Sequence, residues 1–166
     1  GKIQGDTELA PAHEVLEFAR AMQARGIRIL LGLRDVGHMR HIQGFLEMGV
    51  IEPPLFLNFF LSEQASFGPS PDARGLLMYL DMAPPGVEHH WLVSAYKSPN
   101  LNNRINMLAV AMGGHIRTGV GEVPVLDGKR LTNAQQVEMI VDLAQRADRE
   151  VASSAEARGM LGIPLP

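Results

Sequence analysis

The sequence predicts an α/β protein in which parallel strands alternate with helices. Three observations lead to this prediction. Segments with apolar residues at helical spacing alternate with short runs that are apolar throughout, as expected of strands buried on both faces. The connections between these segments are short. Glycine or proline stands at most of the boundaries, where turns are expected.

The first third of the chain contains two helix–strand units. Residues 1–10 carry no periodic pattern and are predicted to form a loop. Pro11 suits the first position of a helix, and Gly26 ends the apolar pattern that follows it. The apolar run 27–33 is long enough for a strand and too short for a helix. A second helix and a second strand follow, over residues 39–48 and 55–61.

The middle of the chain repeats this order. Ser70 and Pro71 are predicted as the N-cap and the first residue of a third helix. A third strand at residues 91–96 leads into a helical stripe over 101–112. The stretch 113–122 is predicted to be the fourth strand.

The C-terminal region is predicted to be helical. Thr132 is a good N-cap for a long helix, with Gln135 as its capping-box partner. Ser154 is predicted to cap a short final helix, after which prolines prevent further helix. The inward face of the long helix is expected to comprise Val137, Ile140, Val141 and Ala144.

Four parallel strands are compatible with two architectures. They can form a small doubly wound sheet, or one half of an eight-stranded barrel, and 166 residues suit a single domain in either case. Both architectures bind ligands at the carboxyl ends of the strands. A polar rim is predicted there, formed by Arg34, Asp35, Asn58, Ser62, Ser94, Lys97, Arg117, Thr118 and Glu122.

Composition excludes several classes of function. The net charge of -3 and the lack of a Lys/Arg cluster exclude a surface for nucleic acid. The chain has no cysteine, so it has neither disulfides nor thiolate metal sites. Its apolar runs are too short to span a bilayer, and its N-terminus has no signal-peptide pattern. We therefore expect a cytoplasmic protein without a membrane partner.

The stretch 113–122 concentrates groups that carry chemistry. Glycines inside a strand indicate the close approach of a ligand or of another backbone. His115 and Arg117 are two residues apart and therefore point to the same face of a strand. Arg117 either binds an anion there or pairs with a nearby carboxylate. Glu122 is a candidate metal ligand, general base or partner of Arg117.

Other polar groups are weaker candidates. His38 and His41 are spaced to ligate a metal from one helix face, or they are simply exposed on that helix. His89 and His90 would point to opposite faces of a strand, which disfavours chelation by the pair. The segment 97–100 either binds a phosphate-bearing ligand or forms a solvated loop.

Residues 113–119 resemble the Gly-Gly-His-Val-Arg-x-Gly signature of the β-keto acid cleavage enzymes, whose founding activity is 3-keto-5-aminohexanoate cleavage. Weaker agreement extends in order over roughly residues 14–163. It includes the segments 35–38, 53–55, 85–91, 132–134, 155–158 and 161–162.

The resemblance implies a zinc-dependent (β/α)8 barrel, usually a homo-oligomer. Such enzymes convert a β-keto acid and acetyl-CoA into acetoacetate and a new CoA ester. The resemblance places residues 1–166 in the C-terminal half of the barrel, strands five to eight, followed by a short helical tail. It also implies that Arg117 is the catalytic arginine, with Glu122 as acid/base or as metal ligand. We expect His115, Asn58, Ser94 and Lys97 to bind substrate.

The chain departs from the family pattern in three ways. Gly121 stands where the family places a glutamate that ligates zinc, which leaves Glu122 to reach the metal or to pair with Arg117. Gly32 stands near a substrate-reading glutamate of the relatives, so the distal group of the keto acid is not expected to be an ammonium. The family's paired zinc histidines belong to the first half of the barrel, which residues 1–166 do not contain.

The missing half suggests two kinds of partner. The chain would pair either with an N-terminal half-barrel or with another copy of itself. The alternative function is a non-catalytic half-barrel subunit or fragment that binds a partner chain. A third interpretation is a small doubly wound domain that binds a phosphorylated ligand.

Overall fold

The computed structural model describes residues 11–100 and 102–164. Helices and strands alternate in the predicted order. The predicted loop at 1–10, Leu101 and the terminal Pro166 lie outside the described residues. The elements are α1 (Ala12–Gln23), β1 (Leu30–Leu33), α2 (His38–Glu47), β2 (Leu55–Ser62), α3 (Ala73–Met82), β3 (His89–Tyr96), α4 (Asn102–Ala111), β4 (His115–Arg117), α5 (Asn133–Arg146) and α6 (Ser154–Met160).

The four strands form one sheet in the order β1-β2-β3-β4, and every pair is parallel. A doubly wound sheet reverses its strand order at a switch point, and this sheet does not. Among the described residues the doubly wound alternative is therefore wrong. A sheet wound in one direction is what one half of a (β/α)8 barrel requires.

One face of the sheet carries the hydrophobic core. Leu57, Phe59 and Val93 are fully buried and belong to one cluster with apolar residues of the helices. The Phe59 ring stacks on Tyr79 of α3 with 4.8 Å between the ring centroids. The Tyr79 hydroxyl group donates to the carbonyl oxygens of Leu33 and Phe60. Helix α3 is thereby attached to both β1 and β2.

The opposite face is different, and we call it the open face. Successive residues of a strand point to opposite faces, so the open face holds the residues that alternate with the core positions. None of these residues belongs to the core cluster. The open face comprises Leu30, Gly32, Phe56, Asn58, Phe60, His90, Leu92, Ser94, His115 and Arg117.

Two predicted strands are shorter than expected. Strand β1 begins at Leu30, since Leu30 pairs with Phe56 at the start of the ladder to β2. Strand β4 ends at Arg117, because Gly119 turns the chain with a φ of 144° and its carbonyl oxygen accepts from the amide of Glu122. Most of the stretch 113–122 is therefore turn.

Three helix assignments also need correction. Helix α3 is capped by Asp72, whose side chain accepts from the Gly75 amide, and not by Ser70. Helix α6 is capped by Ser153 and not by Ser154. The capping box of α5 is confirmed, but Val137 is 50% exposed rather than inward-facing. The buried side chains of α5 are Gln136 and Ala144.

No described helix is long and apolar enough to cross a bilayer.

Candidate functional site

A buried carboxylate and a partly exposed arginine meet at the carboxyl ends of β3 and β4. Arg117 Nε lies 2.9 Å from Glu122 Oε1, and the Ser94 hydroxyl donates to the same oxygen over 3.1 Å. Ser94 and Arg117 are partners in the register of the two strands, which explains why both reach one atom. The side chain of Arg117 is 46% exposed and that of Glu122 only 6%. The guanidinium group therefore faces solvent while it compensates a buried charge.

The backbone places Glu122 beneath the end of β3. After Gly119 the chain folds back, and the carbonyl oxygen of Glu122 accepts from the Lys97 amide over 2.8 Å. Lys97 adopts a φ of 48°, which is uncommon for a residue with a side chain. The loops that follow β3 and β4 are thus joined at Glu122.

A cavity of about 640 Å³ opens beside this junction, which is within the usual size of small-molecule sites. Glu122 and Lys97 are among its lining residues, so the cavity borders the junction of the two loops. The remaining lining comes from the loops after the three last strands, among them Gln64, Asn100, Val120, Gly121, Val125 and Gly128.

Aromatic rings and cations meet on the open face at the same edge of the sheet. Phe67 stacks on Tyr96 with 5.6 Å between centroids, and Phe60 meets Tyr96 edge-on at 6.1 Å. The guanidinium carbon of Arg117 lies 5.6 Å from the Phe60 centroid. Arg34 lies over Phe60 and Phe67, and Lys97 over Tyr96. Anionic groups are favoured near such a cluster of cations.

Two predicted substrate-binding residues lie deeper in the sheet. His115 is paired with Leu92, whereas Arg117 is paired with Ser94, so His115 is one pleat further from the carboxyl edge. Its ring is half-buried and lies 5.9 Å from that of His90. Burial, and then the nearby Arg149 and His90, lower the pKa of His115.

Asn58 also lies below the edge. It is 1% exposed, and neither its amide nitrogen nor its amide oxygen has a hydrogen-bond partner. In the sheet it pairs with Gly32 and Leu92, two positions that offer no polar side chain. Among the described residues this buried amide has no hydrogen-bond partner, which is costly unless water or another polar group supplies one.

The described residues do not by themselves build a zinc site. They contain no group of three His, Cys, Asp or Glu side chains arranged to hold a metal. One carboxylate oxygen of Glu122 is already occupied by Arg117 and Ser94. His38 and His41 stack on each other with 6.1 Å between their centroids, on an exposed face of α2 away from Glu122.

The first glycines of the stretch serve packing rather than a ligand. A Cβ on Gly114 would lie 2.1 Å from Cζ3 of Trp91, so only glycine fits beneath that ring. Gly113 turns the chain with a φ of 84°. The predicted close approach is therefore to a side chain of β3. Gly121 differs, because a Cβ there would meet nothing within 4 Å.

Sequence reasoning missed two residues that hold this region. Arg149 donates to the carbonyl oxygens of Val110, Gly113 and Gly114 and so fixes the turn into β4. Gln136 is buried on α5 and bonds to the loop that carries Glu122. Arg149 had no signal in the sequence. Gln136 had one, a polar residue between the predicted cap and the predicted inward face.

Comparison with known proteins identifies the relatives of the chain. The family model described as beta-keto acid cleavage enzyme matches residues 5–163. A 3-keto-5-aminohexanoate cleavage enzyme of Fusobacterium nucleatum is 28% identical over 151 residues, which is 90% of this chain and 53% of that protein. A 3-dehydrocarnitine:acetyl-CoA trimethylamine transferase of Rhizobium meliloti is 27% identical over 146 residues, 87% of this chain and 47% of that protein. The chain spans about half the length of the curated relatives it matches.

Proposed function

Because the chain belongs to the beta-keto acid cleavage enzyme family, we propose that it supplies one half of an enzyme that cleaves a β-keto acid with acetyl-CoA. The bond between C2 and C3 of the keto acid breaks. The acyl part from C3 onward becomes a new CoA ester, and the remaining CH2–COO⁻ unit joins the acetyl group released from CoA to give acetoacetate. The names of the relatives, which refer to keto acid cleavage and to an acetyl-CoA transferase, support this class of reaction.

This proposal depends most on the ion pair of Arg117 with Glu122 and the hydrogen bond from Ser94 to Glu122, at the carboxyl edge of the sheet. Arg117 is exposed enough to bind the carboxylate of the keto acid and to stabilise the oxyanion that develops. Glu122 acts as acid/base, because a buried carboxylate beside a cavity can accept a proton from bound substrate and return it. Ser94 holds the Oε1 atom of Glu122 in place.

His115, Asn58 and Lys97 are assigned to substrate binding in this proposal. Lys97 lines the cavity directly, whereas the other two lie below it. Zinc, which the family resemblance implies, would need ligands beyond the described residues.

Replacing Arg117 by alanine tests the assignment. We expect turnover of β-keto acid with acetyl-CoA to fall by roughly 10²- to 10³-fold, the range seen when a charge-stabilising group is removed. Arg146→Ala is the matched control, because Arg146 is exposed and pairs with Asp142 on the same helix. Wild-type turnover by Arg117→Ala, with the fold intact, would refute the assignment.

A second half-barrel is the proposed partner. Strands β1 and β4 each pair with one neighbour only among the described strands, so each has an unpaired edge. Beside β1 an apolar groove of about 390 Å³ includes Leu30, which is 42% exposed, and Phe18, which is 69% exposed. Closing the barrel would pair both edges and cover this groove.

The mass of the assembly tests this proposal. A complex with a chain that carries the first four strands would support the enzyme, whereas a stable dimer of this chain would make the second copy the partner. Phe18→Asp and Leu30→Asp should weaken either assembly. A monomer that binds no second half would overturn the proposal.

The alternative function is a half-barrel subunit without catalysis. The ion pair favours it in one respect, because a carboxylate neutralised by arginine already has a structural role. The test above separates the two functions. Assembly without any keto acid turnover would support the non-catalytic subunit.

A further inference from the structure

We infer that Gln136 is a positioning residue, which sets the orientation of Glu122 through the loop between β4 and α5. Gln136 lies on the first turn and a half of α5 and is only 3% exposed. The backbone amide of Gln136 donates to the Thr132 carbonyl oxygen at the helix start. Among the described residues, all hydrogen bonds of its side-chain amide go to residues 118–123, the loop that presents Glu122.

The side-chain amide of Gln136 forms hydrogen bonds with both ends of that loop. Its Oε1 accepts from the Gly119 amide over 3.2 Å, and its Nε2 donates to the Val123 carbonyl oxygen over 2.9 Å. Within the loop, the Gly119 carbonyl oxygen accepts from the amides of Glu122 and Val123. Gly119 and Val123 are thus the first and last residues of one closed turn. Gln136 bonds to both, so the turn cannot rotate without breaking these contacts.

Two further hydrogen bonds attach the loop to α5. The Thr118 hydroxyl donates to the same Gln136 Oε1 over 3.2 Å. One helical turn earlier, Asn133 Oδ1 accepts from the Val120 amide over 2.9 Å. The loop is therefore attached to α5 at four residues, and Glu122 extends from it towards Ser94 and Arg117. Small displacements of a reacting group cost up to about 10²-fold in rate, so this attachment bears on catalysis.

Gln136→Met tests the inference, because methionine keeps the length and volume of the side chain and removes all three of its hydrogen bonds. Gln145→Met is the matched control, since Gln145 is exposed on the same helix. Hydrogen exchange of the Arg117 Nε–H, followed by NMR, reports on the ion pair itself. We expect this exchange to be at least about tenfold faster in Gln136→Met and unchanged in Gln145→Met. The thermal midpoint should stay near the wild-type value in Gln145→Met and should fall in Gln136→Met, where the buried Gly119 amide and Val123 carbonyl oxygen lose their partner.

A second variant separates positioning from general stability. Thr118→Val removes one donor to Gln136 from the loop side and leaves α5 unchanged. If both residues act through the same contact, their effects on Nε–H exchange will be less than additive in the double variant. Additive effects, or unchanged exchange in Gln136→Met, would overturn the inference.

The kinetic readout rests on the proposed function. In an assembly that is active with the wild-type chain, we expect Gln136→Met to lower kcat by about 10- to 100-fold and to leave KM within about twofold. Equal loss in kcat for the Gln145→Met control would also contradict a positioning role. If the wild-type chain shows no keto acid turnover, the proposed function fails, and the Nε–H exchange still decides the role of Gln136.

Discussion

The two ends of the stretch 113–122 have different physical requirements, although the sequence presents them as one motif. Its beginning is fixed by packing, with Gly114 under the Trp91 ring and three carbonyl oxygens bonded to Arg149. Its end is fixed by polar contacts around Glu122. Changes at the beginning should affect stability, and changes at the end should affect chemistry. This glycine-rich stretch thus combines a packing requirement at one end with a polar one at the other.

The largest expected effect is at the end of the stretch that carries Glu122. Glu122→Gln keeps the shape of the side chain and its bond to Ser94 but removes its capacity to take up a proton. General acid/base groups contribute roughly 10²- to 10⁴-fold, so kcat/KM with a β-keto acid and acetyl-CoA should fall within that range. Steady-state kinetics measures the loss, and circular dichroism should show an unchanged fold. Full activity in Glu122→Gln would remove the contrast between the two ends.

The next largest effect is at the packing end. Gly114→Ala forces a Cβ into the ring of Trp91, which must move together with the core around it. Overpacking of a buried site costs about 1–3 kcal/mol and sometimes more, and we expect a loss at the upper end of that range in urea unfolding. Gly121→Ala is the matched control, because its Cβ meets nothing within 4 Å. Equal losses of unfolding free energy in Gly114→Ala and Gly121→Ala would contradict the packing role of Gly114.

A smaller loss of stability is expected at Arg149. Arg149→Met keeps the apolar stem but removes the guanidinium donor from the carbonyl oxygens of Val110, Gly113 and Gly114, of which Val110 keeps its bond from the Gly113 amide. Hydrogen bonds to charged groups contribute about 1.5–3 kcal/mol each, and solvent will compensate part of the loss at the exposed Gly113 bond. Urea unfolding should therefore show destabilisation of roughly 2 kcal/mol. Arg158→Met at the C-terminal tail, which bonds only Pro164, should cost less.

The smallest expected effect is the pH dependence at His115. Its pKa is lowered in the folded protein, chiefly by burial. The unfolded state therefore binds a proton more readily than the folded state as the pH falls through the ordinary histidine pKa. This contribution to stability is complete above pH 6.5 and is lost below it. His115→Gln should flatten the fall in unfolding free energy between about pH 7 and pH 5. An unchanged slope would contradict the assignment to His115.

Local patterns predicted the order of elements because they depend only on neighbours in the chain. The capping box of Thr132 and Gln135 needs residues three positions apart, and it forms as predicted. The helix over 133–146 was oriented wrongly for a tertiary reason. Val137 looked like an inward residue, but the loop before α5 supplies polar groups, and a buried glutamine satisfies them better than a valine.

The candidate site was predicted in part. Arg117 and Glu122 are five residues apart, and the sequence left their relation open among an ion pair, an anion site and a metal site. The turn at Gly119 brings the two side chains together as an ion pair, because it folds Glu122 back onto the end of β4. Asn58 was expected at the polar rim, and His115 was expected to bind substrate from the same strand face as Arg117. Their depth depends on strand register, which no residue pattern specified.

The sequence by itself determined the alternation of helices and strands, the parallel sheet, the family and the identity of the charged groups. These follow from periodicity, capping residues and motif order, all of which are properties of the linear chain. The tertiary structure alone decided that Gly114 serves Trp91 and that Arg149 and Gln136 hold the ends of one stretch. Each of these depends on atoms that are distant in sequence and close in space.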